Sequence, residues 1–142
     1  MRTPENCQAT ILVSHSADVG DWVQEFERQA SIAGLKLLSA DQLRGSPMEM
    51  RRELLDSELV VAVVDPDSSS NTPWVEFVVG AAFALRKTVW LVTPEPPSPG
   101  TSAAGWFEEL KRAVGAPLSG GPGEIIRRLD WFCDRSRRAK AC

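Results

Sequence analysis

The sequence has few residues of the kinds that bind transition metals or form disulfides. Its 142 residues include one histidine and three cysteines, and the cysteines lie far apart or at the chain end, at Cys7, Cys133 and Cys142. This spacing indicates neither a zinc site nor a disulfide framework. By default it predicts a reducing compartment, so we expect a cytoplasmic protein without a metal.

Long apolar runs and an excess of basic charge are also missing. No apolar stretch approaches the roughly 20 residues that span a bilayer, and the polar segment from Met1 to Gln8 does not resemble a signal peptide. The net charge is −3, whereas nucleic-acid-binding domains are usually strongly basic. We therefore expect neither a membrane nor a nucleic-acid partner, and we interpret the basic cluster around Arg135–Lys140 as a solvated helix end.

The motifs of several common enzyme classes are absent. The segment SHSADVGD, residues 14–21, is neither a P-loop nor a dinucleotide fingerprint. No nucleophile elbow of the G-x-S-x-G kind occurs. Any chemistry would therefore depend on carboxylates and hydroxyls around a bound ligand. Cleavage of an N-glycosidic bond suits such a site, because one carboxylate can stabilise an oxocarbenium-like transition state.

Short apolar runs alternate along the chain with segments of helical periodicity. Three runs are rich in Val and Ile, as in strands buried on both faces, and they lie at Ala9–Ser14, Leu59–Asp65 and Thr88–Thr93. Lys36–Ser39 is a weaker fourth strand, and Ala116–Ser119 is available for a short fifth strand. Apolar residues at three- and four-residue steps predict five helices, at about Val19–Ala33, Ser46–Ser57, Thr72–Arg86, Phe107–Val114 and Ile125–Phe132. Ser46 to Glu49 has the pattern of a capping box, with Pro47 at the first helical position.

This alternation predicts βαβ units around a parallel sheet with right-handed crossovers. We expect three α/β/α layers and the strand order 2-1-3-4-5, with a fifth strand that is short or absent. No internal repeat or domain boundary is visible in the sequence.

Polar residues follow the first and third predicted strands. In open parallel sheets, ligands bind beyond the carboxyl ends of the strands, where the strand order reverses. With the predicted order, that crevice lies between these two loops. We predict that a nucleotide or sugar bound there contacts residues of both loops and the tryptophan that follows the second, namely Ser14, His15, Ser16, Asp18, Asp65, Asp67, Ser68 and Trp74. If the chain is an enzyme, Glu76 on the same helix is the candidate catalytic carboxylate.

Each of these residues also has a structural interpretation. Ser16 or Asp18 can cap the first helix, and the aspartates before and after Pro66 can form a turn. Glu76 lies in the first turns of a helix, where the dipole alone favours a carboxylate. Trp74 can pack at the rim of the core, and His15 has no companion nucleophile or ligand.

Several segments together resemble the TIR (Toll/interleukin-1 receptor) domain family. The opening Ile11–Ser16, followed by Asp18 and Asp21-Trp22-Val23, resembles the first strand, turn and helix of that family. The further matches come in the family's order, and the likeness covers about residues 9–93; these matches are Leu43–Ser46 at the BB loop, Glu53–Ser57 before the third strand, Ser70–Val75, Gly80–Ala82 and Lys87–Val92. On this basis we predict an N-terminal tail at 1–8, a TIR-like domain at 9–134 and a basic tail at 135–142.

The resemblance implies a flavodoxin-like fold, action by self-association or by pairing with other TIR domains, and in many members cleavage of NAD at the nicotinamide–ribose bond. The family's catalytic glutamate lies four residues after the tryptophan and two before a glycine, and both counts lead here to Val78. Glu76 lies two positions earlier, which is a rotation of about 200° on a helix. We therefore expect Glu76 to project into solvent and Val78 to line the crevice.

Three functions are compatible with these patterns. The first is a TIR-like signalling or assembly module of a prokaryotic defence system, without turnover, for which an NAD-like nucleotide is a candidate ligand. The second is an NAD glycohydrolase with Glu76 as the catalytic carboxylate. The third is an enzyme resembling nucleoside 2-deoxyribosyltransferases, whose polar loop and glutamate-containing helix are similar to Asp65–Asp67 and Thr72–Lys87. None of the three requires a cofactor.

Overall fold

The structure is a computed structural model, and it describes residues 8–13, 20–39, 46–64, 72–94 and 105–141. Five strands alternate with five helices in these ranges. In chain order they are β1 (Gln8–Val13), α1 (Gly20–Ile32), β2 (Lys36–Ser39), α2 (Pro47–Asp56), β3 (Leu59–Val63), α3 (Thr72–Ala84), β4 (Thr88–Thr93), α4 (Gly105–Val114), β5 (Leu118–Ser119) and α5 (Pro122–Ala141).

The strands form one parallel sheet in the order β2-β1-β3-β4-β5. This confirms the predicted sheet and its strand order. The fifth strand is present but contains only two residues, and it pairs with the end of β4. The hydroxyls of Thr93 and Ser119 lie 2.9 Å apart and join these two strands through their side chains.

Helices cover both faces of the sheet. One buried cluster joins α1 and α5 to alternate residues of β3, namely Leu59, Val61 and Val63. The other joins α2, α3 and α4 to Val60, Ala62 and Val64 on the opposite face. Every residue of β3 is buried, which explains why this strand is a continuous apolar run rather than an alternating one.

The helix ends show where the local signals were right and where they were wrong. Gly34 follows α1 with φ 77°, and the Leu35 amide donates to the Ala30 carbonyl at 2.9 Å, so glycine ends this helix as predicted. Helix α2 begins at Pro47, but the Ser46 side chain makes no capping hydrogen bond. The predicted capping box is therefore wrong, although the predicted helix start is correct.

Helix α5 extends beyond its predicted apolar core and is tied by a covalent bond. Its backbone continues through Ala141, so the basic segment is part of the helix. Cys133 is disulfide-bonded, which the cysteine spacing did not predict; the other cysteines, Cys7 and Cys142, lie outside the described residues.

In the part of the chain that the structure describes, no helix is both long and apolar enough to cross a bilayer.

Candidate functional site

The sheet places the ends of the two strands that precede the predicted site loops next to each other. The last residues of β1 and β3, Val13 and Val63, are register partners on adjacent parallel strands. The segments that follow them therefore begin at neighbouring points on the carboxyl edge of the sheet, where the strand order reverses. Helix α3 begins at Thr72, after the second of these segments.

Most of the predicted contact residues belong to these two loops. Ser14, His15, Ser16, Asp18, Asp65, Asp67 and Ser68 lie outside the described residues. Their role in a ligand site remains a prediction. The backbone of Trp74 lies in the first turn of α3.

Helix α3 separates Glu76 from Val78. Glu76 is exposed, as the helical period predicted. Val78 is completely buried and packs in the cluster that contains Ala62 of β3 and the adjacent Val64, so the prediction that it lines the crevice is wrong. Val78 instead holds α3 against the sheet, and no carboxylate extends from the buried face of this helix.

A groove separates α2 from the exposed side of α3. It has a volume of about 190 Å³ and an almost wholly apolar lining. The described lining residues are Pro47, Met50, Arg51, Leu54, Phe77, Ala81, Ala84 and Leu85. Beside the groove, the Lys87 ammonium group donates a 2.8 Å hydrogen bond to the carbonyl of Leu55, which ties the end of α2 to the turn that follows α3.

A larger cavity of about 520 Å³ lies between β4, β5 and α5, at the β5 edge of the sheet. Its described lining residues are Trp90, Leu118, Glu124, Arg127, Arg128 and Trp131. The Arg135 guanidinium lies 5.3 Å from the centre of the Trp131 ring, within cation–π range. Sequence reasoning missed both this cavity and the groove. A signal for the cavity was the spacing of Arg127, Arg128 and Trp131 along α5, which places them on one side of a helix.

The largest carboxyl pKa shift in the described residues lies outside these sites. The Arg28 guanidinium and the Gln29 amide both hydrogen-bond the exposed Glu25 carboxylate and lower its pKa to about 2. These contacts join successive turns of α1. The shift therefore reflects a surface ion pair rather than a reactive group.

Comparison with solved structures decides the fold. The crystal structure of the RPS4 and RRS1 TIR domain heterodimer superposes with a TM-score of 0.58, over 88% of this chain and 98% of that one. The chain has a TIR-domain fold. At 14% sequence identity, the similarity to that structure concerns the fold alone. No protein-family model matches the sequence, and no curated protein matches it significantly.

The structure shows what surrounds residue 78, the position at which the sequence resemblance calls for a glutamate. The resemblance places a carboxylate at residue 78, on the helix that follows the third strand. In this structure that residue is a valine in the apolar layer between helix and sheet. The nearest carboxylate on the helix, Glu76, is exposed, and it is the single charged residue of α3.

Proposed function

We propose that this chain is a TIR-fold signalling or assembly module that acts by self-association or by pairing with another TIR-fold domain, without turning over NAD. The observation that carries this proposal is the burial of Val78, at the position where the resemblance calls for glutamate. We also propose a prokaryotic defence system as its setting, from the sequence resemblance to TIR domains alone. An NAD-like nucleotide remains its candidate ligand.

The geometry of α3 argues against hydrolysis by this helix. A glutamate at position 78 would place a carboxylate in an apolar cluster, where an unpaired charge is strongly unfavourable. Glu76 is in contact with water instead. A solvated carboxylate stabilises a developing positive charge less than one held in a site that excludes water.

Pairing is supported by the surface of the molecule and by its structural neighbour. Several large apolar side chains on α2 and α3 are exposed, and exposed apolar patches on soluble domains often mark interaction sites. The TIR domains of RPS4 and RRS1 form a heterodimer. We propose the same kind of contact, between two TIR folds, for this chain.

Sedimentation velocity over a wide concentration range tests this proposal. We expect the weight-average mass of the purified chain to rise from the monomer value as its concentration increases from about 5 to 500 μM, the range in which contacts of about 5–7 kcal/mol are populated. A monomer at every concentration, both alone and mixed with candidate TIR-domain partners, would contradict it.

The alternative function is NAD hydrolysis by Glu76. It is favoured by the accessibility of this carboxylate and by its position about 6 Å along the axis from the start of α3, close to the carboxyl edge of the sheet. Release of nicotinamide from NAD should be measured at high protein concentration, because assembly can be required for activity. We expect no release above the blank for wild type, Glu76→Gln or the control Glu109→Gln. Release by wild type and Glu109→Gln that is lost in Glu76→Gln would establish the alternative.

A further inference from the structure

We propose that two copies of this chain associate through the surface formed by α2 and α3, and that a phenylalanine ring of each copy occupies the groove between these helices in the other. This inference rests on the proposed function, since it assigns a surface to the proposed self-association. It follows from the composition of α3, from the exposed area of the two helices and from the shape and charge of the groove.

Helix α3 is apolar on almost every side. Its 13 residues include one charged residue, and its sheet-facing side is filled by Val75, Val78, Val79 and Ala82. Phe77, Gly80 and Ala84 recur at three- and four-residue steps on the opposite, exposed side. A surface helix normally has a polar face toward water. An apolar outer face therefore indicates that α3 is covered on both sides when the protein is assembled.

The exposed apolar area is of the size that a dimer needs. The exposed fractions are 54% for Phe77 and 41% for Phe83 on α3, and 71% for Met48 and 42% for Leu55 on α2. They correspond to roughly 400 Å², if about 200 Å² is taken for a fully exposed large side chain. A standard interface buries about 800 Å² on each partner, and about 65% of a homodimer interface is apolar. This surface thus supplies most of the apolar area required.

The groove has room for an aromatic ring. Its volume is about 190 Å³, and an apolar cavity of about 150 Å³ is large enough to bind benzene. Phe77 forms one wall of the groove, so the ring that enters from a second copy is assigned to Phe83, the other exposed phenylalanine of α3. The Lys87–Leu55 hydrogen bond links the end of α2 to the turn that follows α3.

The charges around the groove favour a second copy as the occupant. Arg51 is the one charged residue among the described residues of the lining. Glu76 and Phe83 are seven residues apart and therefore lie on the same side of α3, two turns from each other. A copy that inserts Phe83 brings Glu76 toward α2, where Arg51 is exposed. A two-fold axis makes this contact between opposite charges twice.

The test is sedimentation velocity of the whole chain with three variants. Ala84→Glu places a charge at the rim of the groove without removing a packed side chain, because Ala84 is exposed. Phe83→Ser removes the proposed ring. Trp131→Ser is the matched control, since Trp131 is an exposed aromatic residue on α5, which packs on the other face of the sheet. Thermal melts establish that each variant is folded.

We expect Ala84→Glu and Phe83→Ser to raise the dimer dissociation constant at least tenfold, and Trp131→Ser to leave it within twofold of wild type. If wild type associates but the two α3 variants do so equally well, the proposed surface is wrong while the proposed self-association stands. If wild type is a monomer throughout, both proposals fail. Hydrogen exchange that slows in α2 and α3 at high protein concentration would support the surface independently of any variant.

Discussion

At the scale of single residues, two positions that lie two residues apart on α3 have opposite environments, one in the core and one in solvent. Val78 loses all contact with water on folding, whereas Glu76 keeps it. Successive helix positions are rotated by about 100°. If the helix were shifted by two residues, the charged Glu76 would take the place of Val78 in the core. The position of Val78 is therefore fixed by the energetics of burial.

We expect Val78→Ala to lower the free energy of unfolding by about 2 kcal/mol, from about 0.8 kcal/mol for each buried methyl group and a cavity term. Glu76→Ala should change it by less than about 0.5 kcal/mol, as is usual for exposed positions. Urea denaturation of the two variants measures both quantities. Equal effects would mean that Val78 does not pack in the core.

Cys133 allows a second test at this scale, because it is disulfide-bonded in the structure. With three cysteines in the chain, alkylation of the unfolded, unreduced protein should label one cysteine, and alkylation after reduction should label three. Mass spectrometry of the intact protein counts the labels, and non-reducing peptide mapping identifies whether Cys7 or Cys142 is the partner. Three labels without reduction would show that the disulfide does not form.

At the scale of elements, one side chain of α1 is hydrogen-bonded to the turn that precedes α5. The Trp22 indole N–H donates a 3.0 Å hydrogen bond to the carbonyl of Gly120, just before α5. The same indole stacks on Phe26 with a centroid distance of 5.1 Å. The half-buried ring therefore packs against the core, while its nitrogen holds the turn that leads from β5 into α5.

Trp22→Phe should retain most of the ring packing and remove the hydrogen bond to Gly120. We expect the free energy of unfolding to fall by about 1 kcal/mol, the usual net value of such a bond. Trp131→Phe is the control, because that ring is exposed on α5 and its replacement should have little effect. A Trp22→Phe variant as stable as wild type would argue that water replaces the bond without cost.

At the scale of the whole molecule, the parallel topology brings the carboxyl ends of two strands that are distant in the sequence to one edge of the sheet. β1 and β3 are adjacent, although almost 50 residues separate them in the sequence. This adjacency is the physical basis for the predicted ligand site, since the helices that follow β1 and β3 lie on opposite faces of the sheet and a crevice forms where the strand order reverses.

Titration of the isotope-labelled protein with NAD or with a nucleoside tests that site by NMR. We expect chemical-shift changes at the residues predicted for it, namely Ser14, Ser16, Asp18, Asp67, Ser68 and Trp74. Inorganic phosphate is the control, because it shows which chemical-shift changes are caused by the negative charge of the ligand alone. Changes confined to α4 and α5 would place binding elsewhere, for example in the cavity beside Trp131.

The strands and their order could be predicted from the sequence because each has a local cause. Residues 59–63 are buried on both sheet faces, so every position is apolar and the run is visible without any partner. The alternation of strands and helices then leaves few topologies, since crossovers are right-handed. The exposure of Glu76 followed in the same way from helical periodicity alone.

Other features depend on side-chain rotamers or on contacts between segments that are distant in the sequence. The sequence contains the pattern of a capping box at Ser46, yet the side chain makes no capping bond, because a pattern of residue types does not determine which rotamer is adopted. The groove between α2 and α3 exists because the two helices pack side by side on one face of the sheet. Local periodicity therefore determined the elements, the strand order and the solvent-facing side of α3. Only the tertiary structure decided which apolar residues were left exposed, because exposure depends on what packs against each element.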